Sequence, residues 1–228
     1  MLARLLRSAG IAAMLAASAA FVAPSALAQK DPQTTLSMSE ATLANFLRDP
    51  DMDWLQRNFG RARGVLISPE IVKAGFIFGG SGGRGVVYAK DASGKWHGPV
   101  FYNLATASVG FQAGIAVSEG VGLVMTEKGL NSLLATSVKL GGDASVAAGP
   151  IGAGAKSDVV ADIVTFSRSK GVYGGLNFDG TVMTAADDWN QQFYGKKVLP
   201  PDVLVRGTVK NPAGDKLGAQ LNAAAMKK

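Results

Sequence analysis

Several stretches of the chain carry residue types that could do chemistry. Gly80-Ser81-Gly82-Gly83-Arg84-Gly85 has the G-x-G-x-x-G spacing with which a glycine turn and a helix N-terminus hold a dinucleotide pyrophosphate. That chemistry needs a helix to open at the last glycine. Val86-Val87-Tyr88 reads as strand instead, so a glycine-rich hairpin is expected. Gly79, Ser81 and Gly83 also fit G-x-S-x-G, the elbow of a hydrolase nucleophile. The nucleophile would need a base well downstream, and the one histidine, His97, lies 16 residues on. Gly149 to Ser157 imitates a phosphate loop, but Ala155 stands where glycine must precede the lysine. Asp49, Asp51 and Asp53 imitate the start of a calcium loop, with Trp54 at its glycine position and Gly60 at its last carboxylate. Asp187 and Asp188 are adjacent in a helical stretch, diverge by about 100° and cannot face each other as an acid pair. One histidine and no cysteine leave no set of soft metal ligands. The residues argue for a binding domain with no cofactor and no metal, rather than an enzyme.

The first 28 residues have the three zones of a secretory leader: Arg4 and Arg7, an apolar run from Ile11 to Val22, then Pro24 and Ala26-Leu27-Ala28. The run is shorter than the ~20 residues of a bilayer span. Cleavage after Ala28 is expected, and hence a periplasmic or secreted protein. Gln29 stands where a lipoprotein needs cysteine, so no lipid anchor is expected. Without cysteine no disulfide can form, and the fold must stand on packing. Removing the leader takes two arginines and leaves 21 Lys+Arg against 17 Asp+Glu, a charge of +4 on 200 residues. This balance, with few aromatics and no arginine-rich tract, points away from nucleic acid.

Any site must be positioned by the elements around it. Residues 29–36 read as a loose segment, and 37–228 as a single domain. Ser37 with Glu40 fits a capping box opening a helix over 38–48, and Asp49-Pro50 opens another over 50–59. Strand texture follows in Gly64–Ile67, Gly75–Phe78, Val86–Ala89, a stretch from Lys95 to Phe101, a bent strand over Ala107–Val117, and Val121–Met125. Thr126 can cap a helix. Val138–Leu140 and Val159–Ser167 read as strands, and Asp179-Gly180 as a hairpin turn between Val172–Phe178 and Thr181–Met183. Thr184 opens a helix, Pro200-Pro201 breaks the chain, and a last helix covers about 215–226. The mature chain keeps 28 glycines dispersed among apolar residues, which suits bulges and close backbone approaches. The class expected is α+β: a mainly antiparallel, strongly bent glycine-rich sheet or small barrel-like core, with helices from both ends of the chain.

Ordered motifs then resemble a known family, the SYLF domain. They are Arg61–Pro69, Lys73-Ala74-Gly75-Phe76-Ile77-Phe78-Gly79-Gly80-Ser81 with Gly85-Val86, Gly98-Pro99-Val100-Phe101-Tyr102, Gly110–Gly114, Leu140–Pro150 and Phe166–Gly171. The resemblance runs from about residue 37 to 195. It implies a lipid-binding module; eukaryotic members bind phosphoinositides, with an N-terminal amphipathic helix at the membrane, and some bind actin. A chain with a bacterial-looking leader implies an anionic phospholipid such as phosphatidylglycerol or cardiolipin, or otherwise a protein partner in the envelope. The lipid-binding set expected on this basis is Phe46, Leu47, Trp54, Arg57, Arg61, Arg63, Lys73 and Arg84. The competing reading is that the apolar members pack on the chain's own sheet, as amphipathic helices of soluble domains usually do.

Overall fold

The computed structural model describes residues 31–75, 78–109, 114–152, 154, 159–169, 172–173 and 178–226. Residues 1–30, with the expected leader, lie outside the described residues, as do Ala153 and Ala155 to Ser157 of the would-be phosphate loop.

Helix α1 (Pro32–Arg48) opens earlier than the Ser37 signal suggests. Asp31 is its cap: its carboxylate accepts from Thr34 N–H at 2.9 Å, and Pro32 takes the first turn, where a missing N–H costs nothing. Residues 32–36 are therefore helical rather than loose, and Leu36 is fully buried. The second helical stretch is three pieces, a 3-10 turn Pro50–Met52, α2 (Asp53–Asn58) and a 3-10 turn Phe59–Arg61.

The strands follow as β1 (Gly64–Gly75), β2 (Phe78–Lys90), β3 (Trp96–Val109) and β4 (Gly114–Val124). After α3 (Glu127–Leu133) come β5 (Ser137–Lys139), β6 (Val146–Ala148), β7 (Ile163–Ser169), β8 (Val172–Tyr173) and β9 (Val182–Ala185). Helices α4 (Asp187–Tyr194), α5 (Pro200–Leu204) and α6 (Asp215–Met226) finish the chain. The sheet order is β5-β9-β3-β2-β1-β4-β7-β6, with β8 on β7; β6 alone pairs in parallel. It curls into a half-barrel, so the α+β class and the bent, mostly antiparallel sheet hold. Local expectations change. Thr184 lies within β9 and does not open a helix; the helix there starts at Asp187. The span Ala107–Val117 is the end of β3 and the start of β4, two strands that β2 and β1 separate in the sheet, not one bent strand. Asp179-Gly180 is a turn, but β9 pairs with β3 and β5. Pro200-Pro201 starts α5 rather than merely breaking the chain.

Period-two alternation divides the core. Val65, Ile67, Val86, Tyr88, Phe101, Val121, Leu123 and Phe166 share one face with α1, α2, α4 and α6. Leu66, Val87, Val100, Tyr102, Leu104 and Ile163 share the other with α3 and α5. Central strand β1 carries a bulge at Ser68-Pro69-Glu70, where its register slips against both β2 and β4. A bulge is where a central strand tolerates proline. The glycine motif of β2 lies opposite. A Cβ on Gly83 would sit 2.4 Å from the Glu70 carbonyl oxygen, and one on Gly85 2.8 Å from that of Ile67. These glycines admit a neighbouring backbone, not a phosphate or a nucleophile elbow.

Candidate lipid-binding surface

At the end of the sheet where β1 begins and β2 ends, the chain gathers cations. Arg63 N–H donates to the Val124 carbonyl at 2.8 Å and Lys90 N–H to that of Arg63 at 2.7 Å, which fixes the two residues side by side. The Lys90 ammonium donates to the Gly60 carbonyl at 2.6 Å and lies 5.4 Å from the centre of the Trp96 ring. Burial lowers its pKa, and the charge of Arg63 lowers it further. Arg61 donates to Asn58 Oδ1 at 3.0 Å, and Lys95 is exposed on the β2–β3 turn. Among the described residues no carboxylate pairs with Arg61, Lys90 or Lys95. Arg63 pairs with Glu127 across an exposed contact, of the kind worth at most about 1 kcal/mol.

The turn between β2 and β3 is held by Asp91. Its carboxylate accepts from Ser93 Oγ at 2.6 Å, Ser93 N–H at 2.8 Å and Lys95 N–H at 3.0 Å, with His97 Nε2 at 2.8 Å. These bonds, that of the Ser93 hydroxyl first, hold its pKa well below the usual carboxylate range. Gly94 closes the turn with φ +85°, a conformation glycine takes freely. The single histidine thus belongs to a structural turn.

The eight expected lipid contacts do not form one patch. Phe46 is fully buried with Arg168 over its ring at 5.6 Å, Leu47 packs against the same core, and Trp54 lies on Phe166 at 5.8 Å. All three face the chain's own sheet, so contact with lipid would require the helices to leave it. Arg57 forms an i,i+4 pair with Asp53 at 2.9 Å, and Asp49 accepts from Asp51 N–H, so two of the would-be calcium ligands are engaged in helix starts. Lys73 lies half-buried far along β1. Arg84 stacks on Trp189 at 3.8 Å and donates to Asn103 Oδ1 at 2.8 Å. Of the set, Arg61 and Arg63 alone lie at this end, where Lys90 sits beside Arg63 and Lys95 follows on the β2–β3 turn. Nothing in the spacing of Lys90 and Lys95 marks them; only the antiparallel return of β2 beside β1 does.

No group of three or more His, Cys, Asp or Glu among the described residues is arranged to hold a metal. No described helix is long and apolar enough to cross a membrane.

Residues 105–224 match the family model described as Las17-binding protein actin regulator, Ysc84. The chain is 33% identical over 172 residues to "LAS seventeen-binding protein 3" of Saccharomyces cerevisiae, covering 72% of this chain and 37% of that one. It is 31% identical over 164 residues to "Protein YSC84" of the same yeast, covering 69% and 35%. To "SH3 domain-containing YSC84-like protein 1" of Xenopus laevis it is 27% identical over 194 residues, covering 83% and 58%. The chain therefore spans between about a third and three fifths of the length of these relatives; one is named for binding, and none of the three names describes catalysis. With more than half of its residues inside the family model, and the SYLF motifs in order along the sequence, this chain belongs to the Ysc84 (SYLF) family.

Proposed function

We propose that this chain is a non-catalytic module that binds anionic phospholipid peripherally, through the basic end formed by Arg61, Arg63, Lys90 and Lys95, and that it does so outside the cytoplasm after removal of the leader at Ala28. The observation that carries the reading is the Arg63–Lys90 pair. Two like charges are held side by side by the backbone, one of them bonded to a carbonyl rather than a carboxylate. Such a cluster gains when an anionic surface approaches. Each cation near an anionic leaflet contributes about 1 kcal/mol, so binding is reversible and salt-sensitive. Asp91 and Glu127 offset part of the charge, which keeps the affinity modest.

Vesicle flotation tests this. The chain from Gln29 onward should float with phosphatidylglycerol or cardiolipin vesicles at low salt, be released at high salt, and stay behind with phosphatidylcholine. Equal recovery on neutral and anionic vesicles ends the idea. The names of the yeast relatives favour a second reading, a protein-interaction module in the envelope. Crosslinking in intact cells that gave one protein adduct and no copurifying lipid would favour that reading.

A further inference from the structure

Beyond the Pro69 bulge, the sheet face that carries Val65 and Val86 near the helices continues, and among the described residues no helix covers it. Cross-strand register places two rows on it, Ile115–Ala74–Gly80–Ala107 and Val117–Val72–Gly82–Ala105, read from β4 through β1 and β2 to β3. Every one of these positions is apolar. Ile115 is 70% exposed and Val117 43%; Ala74, Gly82, Ala105 and Ala107 are exposed too. The reverse face of the same strands carries Lys73, Ser81, Thr106 and Ser118. Both rows also fall in size across the sheet, from isoleucine and valine on β4 to glycine and alanine on β2 and β3.

We propose that this face pairs with the same face of a second copy of the chain, in a two-fold sandwich whose axis runs along the strands. That rotation lays β4 of one copy over β3 of the other. Because the rows keep their height, Ile115 comes to lie over position 107 and Val117 over position 105 of the second copy. The ridge of each copy fills the trough of the other, as an isologous contact requires. With no charge on either row, identical surfaces meet without like-charge repulsion. Membrane hydrocarbon is a poorer occupant. Thr106–Val109 of β3 run past the pairing with β9, and Gly114–Val117 of β4 past that with β7. Among the described residues no strand closes those outer edges, and open sheet edges do not enter hydrocarbon. Four strands about 4.8 Å apart and five residues long make a face of roughly 320 Å² per copy. Roughly 640 Å² for the pair falls short of the ~1,200 Å² of a stable interface, so the dimer is a weak one that forms as concentration rises.

The absence of cysteine gives a clean test. Chains carrying Ile115→Cys and chains carrying Ala107→Cys each hold a single thiol. Mixed and treated with a short bismaleimide, they should give a crosslinked dimer at least tenfold above either preparation alone. Sedimentation of the unaltered chain should show dimer growing with concentration. Ile115→Lys, at a solvent-facing position, should keep the circular dichroism of the parent and weaken association at least tenfold. A chain that stays monomeric to millimolar concentration overturns the proposal. So does crosslinking of Ile115→Cys chiefly to itself, which would mean edge-to-edge pairing. A fluorophore on Ile115→Cys that responds only to vesicles would assign the face to lipid instead.

Discussion

Between Gly64 and Ile67 the central strand is buried on both faces, whereas between Val72 and Gly75 the same strand is half-buried to exposed. Across the bulge the reverse face turns polar at Lys73, but the face of Val65 and Ile67 stays apolar through Val72 and Ala74, and on that face what changes is the cover. Over the first half, α1 is tied down by Glu40 to Lys216 at 2.5 Å and by Thr42 Oγ1 donating to Glu119 at 2.8 Å, and Tyr88 OH donates to the Gly214 carbonyl at 3.0 Å. Beyond it, none of the described helices packs on the rows from Ile115 to Ala107. Burial is thus a property of the helices that a strand recruits, and two halves of one sheet can serve as core and as contact surface.

The contrast can be broken by substitution. Phe46→Ala should have the largest effect, a loss of about 3–5 kcal/mol in urea unfolding, while Ile115→Ala stays within about 0.5 kcal/mol. An Ile115→Ala loss near that of Phe46→Ala would show the outer half to be packed. Asp162→Ala comes next at about 2–3 kcal/mol, because its carboxylate accepts from Thr126 Oγ1 at 2.6 Å, Ser145 N–H at 2.9 Å and Ser145 Oγ at 2.8 Å, tying α3 to the start of β7. Neighbouring glycines sharpen the comparison. Gly83→Ala drives a Cβ to 2.4 Å from a backbone oxygen and should cost about 1–3 kcal/mol, whereas Gly82→Ala meets nothing nearer than 3.8 Å and should be neutral or stabilise by about 0.5 kcal/mol.

The smallest effect is on pH. The hydrogen bonds to Asp162, that from Thr126 first, and to Asp91, that from the Ser93 hydroxyl first, hold both carboxyls well below their ordinary range. A pKa depressed by folding contributes stability that is complete above the unfolded value of about 4 and is lost as pH falls beneath it. Urea midpoints should therefore fall below about pH 4, and less steeply in Asp162→Asn. An identical slope in that variant would remove Asp162 from the account.

How much of this was legible in the sequence varies by element. The α+β class, the Thr126 cap and the last helix follow from local signals. Asp31-Pro32 carries the same cap-and-proline signal as Asp49-Pro50, yet a polar composition suggested a loose segment, because the burial of Leu36 depends on a sheet far along the chain. The glycine motif of β2 shows close approach of something; that the visitor is the β1 bulge is a fact of strand pairing. Asn190 is 1% exposed and bonds both the N–H and the C=O of Phe101, at 2.9 and 3.0 Å, completing the β3 edge where β9 ends. Nothing in its neighbourhood in sequence announces that role. For the site, Arg61 and Arg63 were visible in a basic run, while Lys90 and Lys95 reach them only through the β1–β2 hairpin.

The reading of the basic end stands or falls on where cations matter. Partition of the chain onto phosphatidylglycerol vesicles should fall about thirtyfold when Arg61 and Lys95 are both changed to alanine, with a shallower salt dependence, since two cations at about 1 kcal/mol each are removed. Changing Arg57 and Arg206 to alanine, arginines paired to Asp53 and Asp202, should leave it within about twofold. Equal losses from the two pairs would mean that diffuse charge, not this end of the sheet, meets the lipid.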